Sequence, residues 1–387
     1  MQMIAVSWLV YRLTNSVFYL GLVSFIGQIP SFAIAPFLGV FVDRHNKLTI
    51  IKIAQVLSMI QAFTLAYLVI SGHINVYHII GLSFLLGLVN SVELPARQSY
   101  VIDLIENKAD LGNAIALNSM MVNISRLLGP SMAGILIALF GEGICFMLNG
   151  ISFLAVIISL FSIKIVAKIK TEKKAHPIHD LIEGVRYVFG FLPIRLILMT
   201  LGLNSFLGAF SQTLLPVFAR DVFHGNSQTI GFMAGSSGLG ALCGAFYLAS
   251  RKSVLGLGNI IAYGTCVVGA GLIIYAFTSI YQIALLLLFF VGIGSMLQMA
   301  ACNTMIQTIV DDNKRGRVMS FYAMAFMGMP PFGALVAGIL AGHFGVHLTV
   351  FISGLGCLTS FIFFFLNLKK IRQLIRPIYI KKEIIRV

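Results

Sequence analysis

From Val17 to Leu368 the chain is written as apolar runs of twenty-two residues or more, most of them joined by a few polar residues. The runs are Val17–Val42, Leu48–Ile70, Val76–Ile102, Asn113–Phe140, Gly143–Val166, Phe191–Val217, Thr229–Ser250, Leu255–Phe277, Tyr281–Thr304, Val318–Gly342 and His347–Leu368, preceded by a shorter one, Met1–Thr14. At about 1.5 Å per helical residue, about twenty residues cross the ~30 Å hydrocarbon core of a bilayer. Eleven runs meet that length, whereas the fourteen residues of the first reach only about 21 Å. In hydrocarbon every backbone N–H and C=O must pair within its own segment, so each run is expected as a helix. Charged residues make up only 10 % of the chain against 58 % hydrophobic, where a soluble domain carries about 25 % charge. Together these exclude a water-soluble fold and predict an all-α polytopic membrane protein of twelve spans, the first of them truncated.

Lys and Arg set the orientation. With both termini cytoplasmic and the spans alternating, only Arg12 and Arg220 of the 27 Lys and Arg fall near the outer side, and Arg126 falls within a span. The rest are cytoplasmic or at the cytoplasmic edge, as the positive-inside rule requires. The net charge of +14 therefore belongs to loops against a membrane surface and implies no nucleic-acid partner. The five cysteines (Cys145, Cys243, Cys266, Cys302, Cys357) stand singly inside apolar runs, without metal-ligand spacing, so neither a metal nor a structural disulfide is expected. The apolar N-terminus lacks a basic leader and a small-residue cleavage site, so no cleavable signal peptide is expected.

The long connection between the sixth and seventh runs starts basic (Lys164, Lys168, Lys170, Lys173, Lys174). Over residues 179–189 its apolar residues fall near helical spacing, which predicts a helix lying on the cytoplasmic face. It divides the chain into an N-terminal six-helix bundle (1–166), a cytoplasmic linker with that surface helix (167–191), a C-terminal six-helix bundle (192–368) and a basic cytoplasmic tail (369–387) facing solvent or lipid headgroups. The halves repeat. Ala133-Gly-Ile-Leu-Ile-Ala-Leu-Phe-Gly141 closes the fifth run, and Ala337-Gly-Ile-Leu-Ala-Gly-His-Phe-Gly345 closes the eleventh, 204 residues later. Gly129 and Gly333 keep the same offset. Both copies run the same way through the membrane, which predicts parallel repeats about an axis along the membrane normal.

The turn after the second run reads Gly39-Val-Phe-Val-Asp43-Arg44-His-Asn-Lys47. A connection this short holds its two spans as an antiparallel pair. Gly39 permits close helix approach, while Asp43 and Arg44 sit at the membrane edge, where charge is tolerated. With its G-x-x-x-D-R-x-x-K pattern, basic central loop and parallel halves, the chain resembles the major facilitator superfamily. Trp8-Leu-Val-Tyr-Arg-Leu-Thr14, Pro95-Ala-Arg-Gln98, Asn113-Ala-Ile-Ala-Leu-Asn118, Gly129-Pro130 and Arg315-Gly-Arg-Val-Met-Ser320 carry a closer resemblance to its enterobactin-exporter and macrolide-efflux branch. Similar proteins carry further residues before the position of Met1, in keeping with the short first run. The second-half counterpart of the turn, Gly244 to Lys252, keeps the glycine and Arg251-Lys252 but has Ser250 and no aspartate. An arginine that many members carry early in span four has no counterpart before Glu93.

Several residues could carry chemistry. The resemblance implies a conformational gate at Gly39, Asp43, Arg44 and Lys47, with Asp43 facing the start of span eleven near Arg317. An intramembrane acid is scarce and functional by default, which singles out Glu93. Arg97 lies four residues on, on the same helical face. A pair that opens and closes would exchange a proton between states, whereas a permanent pair would only lock the helix end; both readings stay open. Arg126, Gly129, Pro130 and Gly134 belong to a stretch that resembles the span-five antiporter motif of the superfamily, with Ser125 and Ala133 replacing two glycines. Gly231, Gly235, Gly240 and Gly244 recur mostly at four-residue spacing and read as packing surfaces. Asn90, Asn204, Gln212, Gln298 and Asn303 are the uncharged polar candidates for lining a central cavity. No phosphate-binding loop or nucleophile elbow is present in the sequence.

The resemblance implies a transporter, not an enzyme, of the bacterial inner membrane. It would export an amphipathic small molecule (siderophore, macrolide or drug-like) by proton antiport and alternating access, as a monomer without cofactor. Composition does not set direction, so an importer or facilitator of the same fold stays open. A polytopic membrane enzyme would need acids or histidines clustered at one membrane edge, and only the loop motif offers any.

Overall fold

Apolar runs with no partner for their backbone but themselves fold here as helices, and no strand occurs among the described residues. The computed structural model describes residues 1–103, 111–162, 185–251, 253–311 and 314–385. For 35–44, 101–103, 111–116, 118–119, 122–123 and 126 it describes the backbone alone. The helices are α1 (Gln2–Thr14), α2 (Val17–Arg44), α3 (Lys47–Ile70), α4 (Val76–Asp103), α5 (Leu111–Ser162), α6 (Leu192–Val217), α7 (Ser227–Ala249), α8 (Leu257–Phe277), α9 (Tyr281–Ile309), α10 (Arg315–Ala323), α11 (Met329–Phe344) and α12 (Val346–Lys381). Wider π turns extend α6 over Phe218–Val222 and join α10 to α11 over Met324–Gly328. Among the described residues ten helical stretches are long and apolar enough to cross a membrane. One of them, α5, breaks at Gly141 and carries the fifth and sixth spans. The thirteen residues of α1 fall short, as the sequence anticipates.

The break in α5 gives the sequence repeat a backbone meaning. Gly141 has φ 80° and ψ 170°, and Gly345, its counterpart between α11 and α12, has φ 81° and ψ 163°. That region is open to glycine and nearly closed to residues with a Cβ. Both copies therefore end a span with the same one-residue corner and start the next span directly after it.

Contacts divide the chain into two units, Met1–Lys173 with Thr213–Gly235, and Lys174–Gln212 with Ser236–Val387. In the first, α3 packs on α4 and α5, α2 packs on α4, and α1 touches α2, α4 and α5. Amide side chains tie these helices together: Asn149 Nδ2 donates to Gln2 Oε1 (2.8 Å), and Gln2 Nε2 donates to Gln61 Oε1 (2.7 Å). In the second, α8 lies between α9 and α12, over a core that includes Ile197, Ile261, Ile306 and Phe364. There Gly240 lets α7 meet α9 so closely that a methyl group would overlap the Phe289 carbonyl oxygen.

The structure differs from the sequence-drawn layout at three places. Residues 213–235, assigned to the C-terminal bundle by the repeat, group by contact with the first unit. The expected surface helix begins outside the described residues, and 185–190 are helical. The basic tail continues α12 as far as Lys381, with Ile371, Ile375 and Tyr379 buried in the second unit's core. Their spacing of four puts an apolar stripe on one side of a helix whose other side carries the charge.

Candidate functional site

The loop motif is more helical than its polarity suggests. α2 runs through Gly39, Asp43 and Arg44, leaving only His45 and Asn46 before Lys47 opens α3. Asn46 makes the sharp start possible: its Oδ1 accepts the Thr49 N–H at 3.3 Å, a cap for one of the free first-turn donors. Lys47 is half-buried, as is Arg317 in the first turn of α10. The side chains of Gly39, Asp43, Arg44 and Arg126 lie outside what the structure describes.

Glu93 and Arg97 are brought together as the i, i+4 spacing predicts. Arg97 Nε lies 3.3 Å from Glu93 Oε1. Gln55 on α3 reaches the same oxygen, donating from Nε2 at 3.4 Å. Glu93 is 8 % exposed, whereas Arg97 is exposed and opens to one side. The pair sits ten residues, about 15 Å, from the end of α4. Beneath it Ala96, Tyr100 and Ile51 form a small buried cluster. Pro95, between the two charges, has no N–H for the Ser91 carbonyl, so the helix is weakest where the pair spans it.

The span-five residues build a close crossing of α5 and α7. A Cβ on Gly134 would stand 2.5 Å from the Ser227 carbonyl oxygen and 2.8 Å from Gly231 Cα. Ser227 Oγ donates to the Gly134 carbonyl (3.1 Å) and Ser131 Oγ to the Gly231 carbonyl (3.4 Å). Pro130 lies inside α5, and Gly129 has open space around it apart from the Met1 amine.

Two of the cavity candidates are not placed as cavity-lining residues. Asn204 and Gln298 are buried, at 7 % and 4 % exposure. Both donate to one carbonyl, Thr200 O, at 2.8 and 3.4 Å, and Asn204 also reaches Ser360 Oγ at 3.4 Å. They join α6, α9 and α12 inside the second unit, the use membrane helices make of buried amides. Asn90 and Gln212 are exposed. Asn303, half-buried, accepts from Gln307 Nε2 one turn on, at 2.6 Å.

Sequence reasoning passes over a polar network where α1 ends, α5 breaks and the Phe218–Val222 turn begins. Arg12 binds Glu142 with both ends of its fork, at 2.8 and 3.3 Å, and Glu142 is 7 % exposed. The Tyr11 hydroxyl donates to Asp221 Oδ2. Arg220 lies over the Tyr11 ring, 5.5 Å from its centroid, and donates to Asn15 Oδ1 at 2.7 Å. The signal was the pair of acids, Glu142 and Asp221, which a tally of Lys and Arg does not register. In the second unit, a cavity of about 730 Å³ is lined by Arg186, Lys314, Lys381, Lys382 and Asp311, among others. Beside it, burial and the Asp311 charge push the Tyr187 phenol above its ordinary range. Among the described residues no group of His, Cys, Asp and Glu could hold a metal ion.

Residues 1–376 match the family described as "Transmembrane secretion effector". The chain belongs to this family of major facilitator superfamily transporters. Among its relatives, the Staphyloferrin A transporter of Staphylococcus aureus is 28 % identical, over 95 % of this chain and 92 % of the relative. The multi-drug resistance efflux pump PmrA of Streptococcus pneumoniae is 25 % identical, over 93 % and 88 %. Macrolide efflux protein A of Streptococcus pyogenes is 20 % identical, over 92 % and 88 %. The fold matches solved transporters. The nucleoside transporter NupG aligns with a TM-score of 0.72 at 12 % identity, over 94 % of both chains. A bacterial homologue of the lysosomal transporter Spinster aligns at 0.65 and 15 %, over 97 % of this chain and 94 % of that one. This family member is a multi-pass membrane transporter of small molecules, not an enzyme.

Proposed function

We propose that this transporter drives an amphipathic small molecule out of the cell in exchange for protons, by alternating access between its two six-span repeats. The observation that carries the proton-coupling reading is the buried Glu93, held by the exposed Arg97 and by Gln55 from the neighbouring helix. An acid with one partner on the water-accessible side can lose that partner without leaving its site, which is what a coupling carboxylate needs. Relatives named for macrolide and multidrug efflux support outward direction and an amphipathic solute, and one named as a staphyloferrin A transporter supports a siderophore-like one. In this reading Asp43, Arg44 and Arg317 close one end of the pathway, and the Tyr11–Asp221 contact closes the other, with Arg12–Glu142 bracing α1 against α5 beside it. The Lys and Arg distribution supports cytoplasmic termini in a bacterial inner membrane, and the monomer is taken as the working unit.

The test is accumulation of siderophores, macrolides and dyes in efflux-deficient cells expressing the chain, with and without a protonophore. Expression should lower accumulation, and the protonophore should restore it. Glu93→Gln, which keeps shape and one hydrogen bond, should abolish that difference while the protein still inserts. Normal efflux by Glu93→Gln would reduce the pair to a fixed lock. Protonophore-sensitive uptake would establish an importer.

A further inference from the structure

The turn motif of the first half has a degenerate copy in the second, where Arg251 follows Ser250 instead of an aspartate. Arg251 is half-buried at the end of α7. Its Nη2 donates to the Leu255 carbonyl at 2.7 Å, but its Nε is buried without a hydrogen-bond partner. A buried guanidinium nitrogen left unpaired is costly, and its natural complement is an anion. Arg251 lies on a groove of about 660 Å³ between α7, α8 and α9, which contains no acidic residue among those that line it. Gly244, Gly264 and Gly294 make it deep by letting the three helices approach, and Tyr263, Val267 and Ile293 supply an apolar wall. A second cation stands at the same end: Arg372 Nη2 donates to Asn259 Oδ1 at 2.5 Å, and Asn259 lines the groove.

One end of the groove is thus cationic and the rest apolar, in a chain that lives in a bilayer. We infer that the α7–α8–α9 groove is a binding site for an anionic glycerophospholipid from the leaflet on the side of the α7–α8 connection. The lipid phosphate takes the place of the carboxylate that the second repeat lacks, pairing with the accessible side of the half-buried Arg251 guanidinium and drawing on the Arg372 charge. One acyl chain lies along the glycine floor against Tyr263 and Val267. The groove volume falls within the range of about 300–1,000 Å³ typical of small-molecule sites, and basic pockets between transmembrane helices recognise lipid headgroups by this charge pairing.

The test uses the full chain in nanodiscs of phosphatidylcholine doped with either phosphatidylglycerol or phosphatidylcholine that carries a photoreactive group on the acyl chain. Crosslinked peptides are then mapped by mass spectrometry. Labelling of 257–277 should favour phosphatidylglycerol by about tenfold, the worth of a hydrogen bond to a charged group. Arg251→Gln should bring it down to the phosphatidylcholine level. Arg372→Gln, which leaves Arg251 in place, should reduce the preference about fivefold, as expected for one cation near a headgroup, and it carries the test if Arg251→Gln fails to insert. Val267→Trp, which fills the groove without changing charge, should cut labelling by both lipids. Equal labelling by the two lipids in the unaltered chain, or a preference that survives both arginine substitutions, would overturn the proposal.

Discussion

Tyr11→Phe removes one oxygen from the network at the end of α1 and leaves the ring in place. Tyr11 is 6 % exposed, and its hydroxyl donates to the carboxylate of Asp221. A hydrogen bond to a charged group contributes about 1.5–3 kcal/mol net. Asp221 is exposed and water can replace part of that, so the low end, about 1.5 kcal/mol, is the better figure, a factor of roughly ten. If the network holds one end of the transport pathway closed, the open population should rise by that factor. Ser227 is a suitable reporter: it is 2 % exposed, and its hydroxyl is spent on the Gly134 carbonyl at the α5–α7 crossing. With Ser227→Cys in a Cys243→Ser background, the maleimide reaction rate should rise about tenfold on adding Tyr11→Phe. Asp221→Asn should raise it in the same direction, and the two together should exceed neither by much, because they delete one interaction. A rate within twofold of the parent in all three variants would refute the latch, even if the melting temperature fell.

Three further outcomes follow from the geometry. Arg12→Met leaves the buried Glu142 carboxylate without its cation and should cost about 2 kcal/mol of stability, discounted from the ~3–5 kcal/mol of a fully buried pair because Arg12 is half-exposed; adding Glu142→Gln should recover part of that in a detergent unfolding series. Gly141→Ala and Gly345→Ala each place a Cβ in a backbone region that resists one, so each should destabilise by about 1–3 kcal/mol and the two by similar amounts. Deleting residues 369–387 removes buried Ile371, Ile375 and Tyr379, at about 1.5–3 kcal/mol for each large side chain, so the truncated chain should melt at least about 5 °C lower; an unchanged melting curve would return that segment to the status of a solvated tail.

How much of this was legible from the residues depends on the range of the interaction. The spans were legible because hydrocarbon leaves the backbone one solution, and the Glu93–Arg97 pair because i, i+4 neighbours meet on any helix. The matched corners at Gly141 and Gly345 were legible as a repeat, although not as a backbone conformation. The burial of Asn204 and Gln298 was not legible, because periodicity says which residues share a helix face but not which way that face turns. Packing against neighbouring helices sets the rotation, and it turned both amides inward onto Thr200. The Tyr11–Asp221 contact joins residues 210 apart, and no local pattern announces it. In the last segment seven basic residues drew attention from the stripe of Ile371, Ile375 and Tyr379 that seats it.

The corners also decide how the molecule meets a visitor from the water. Within the first unit the chain turns through Asn15 and Ser16, residues 71–75, Gly141 alone and residues 223–226, and within the second through residues 278–280 and Gly345 alone. At any one of these corners a protease would find at most five residues between helices, and an antibody scarcely a loop to grip. Inserted epitope tags therefore belong in 71–75 or 223–226. The single-glycine corners, which have no slack to give, should be left alone.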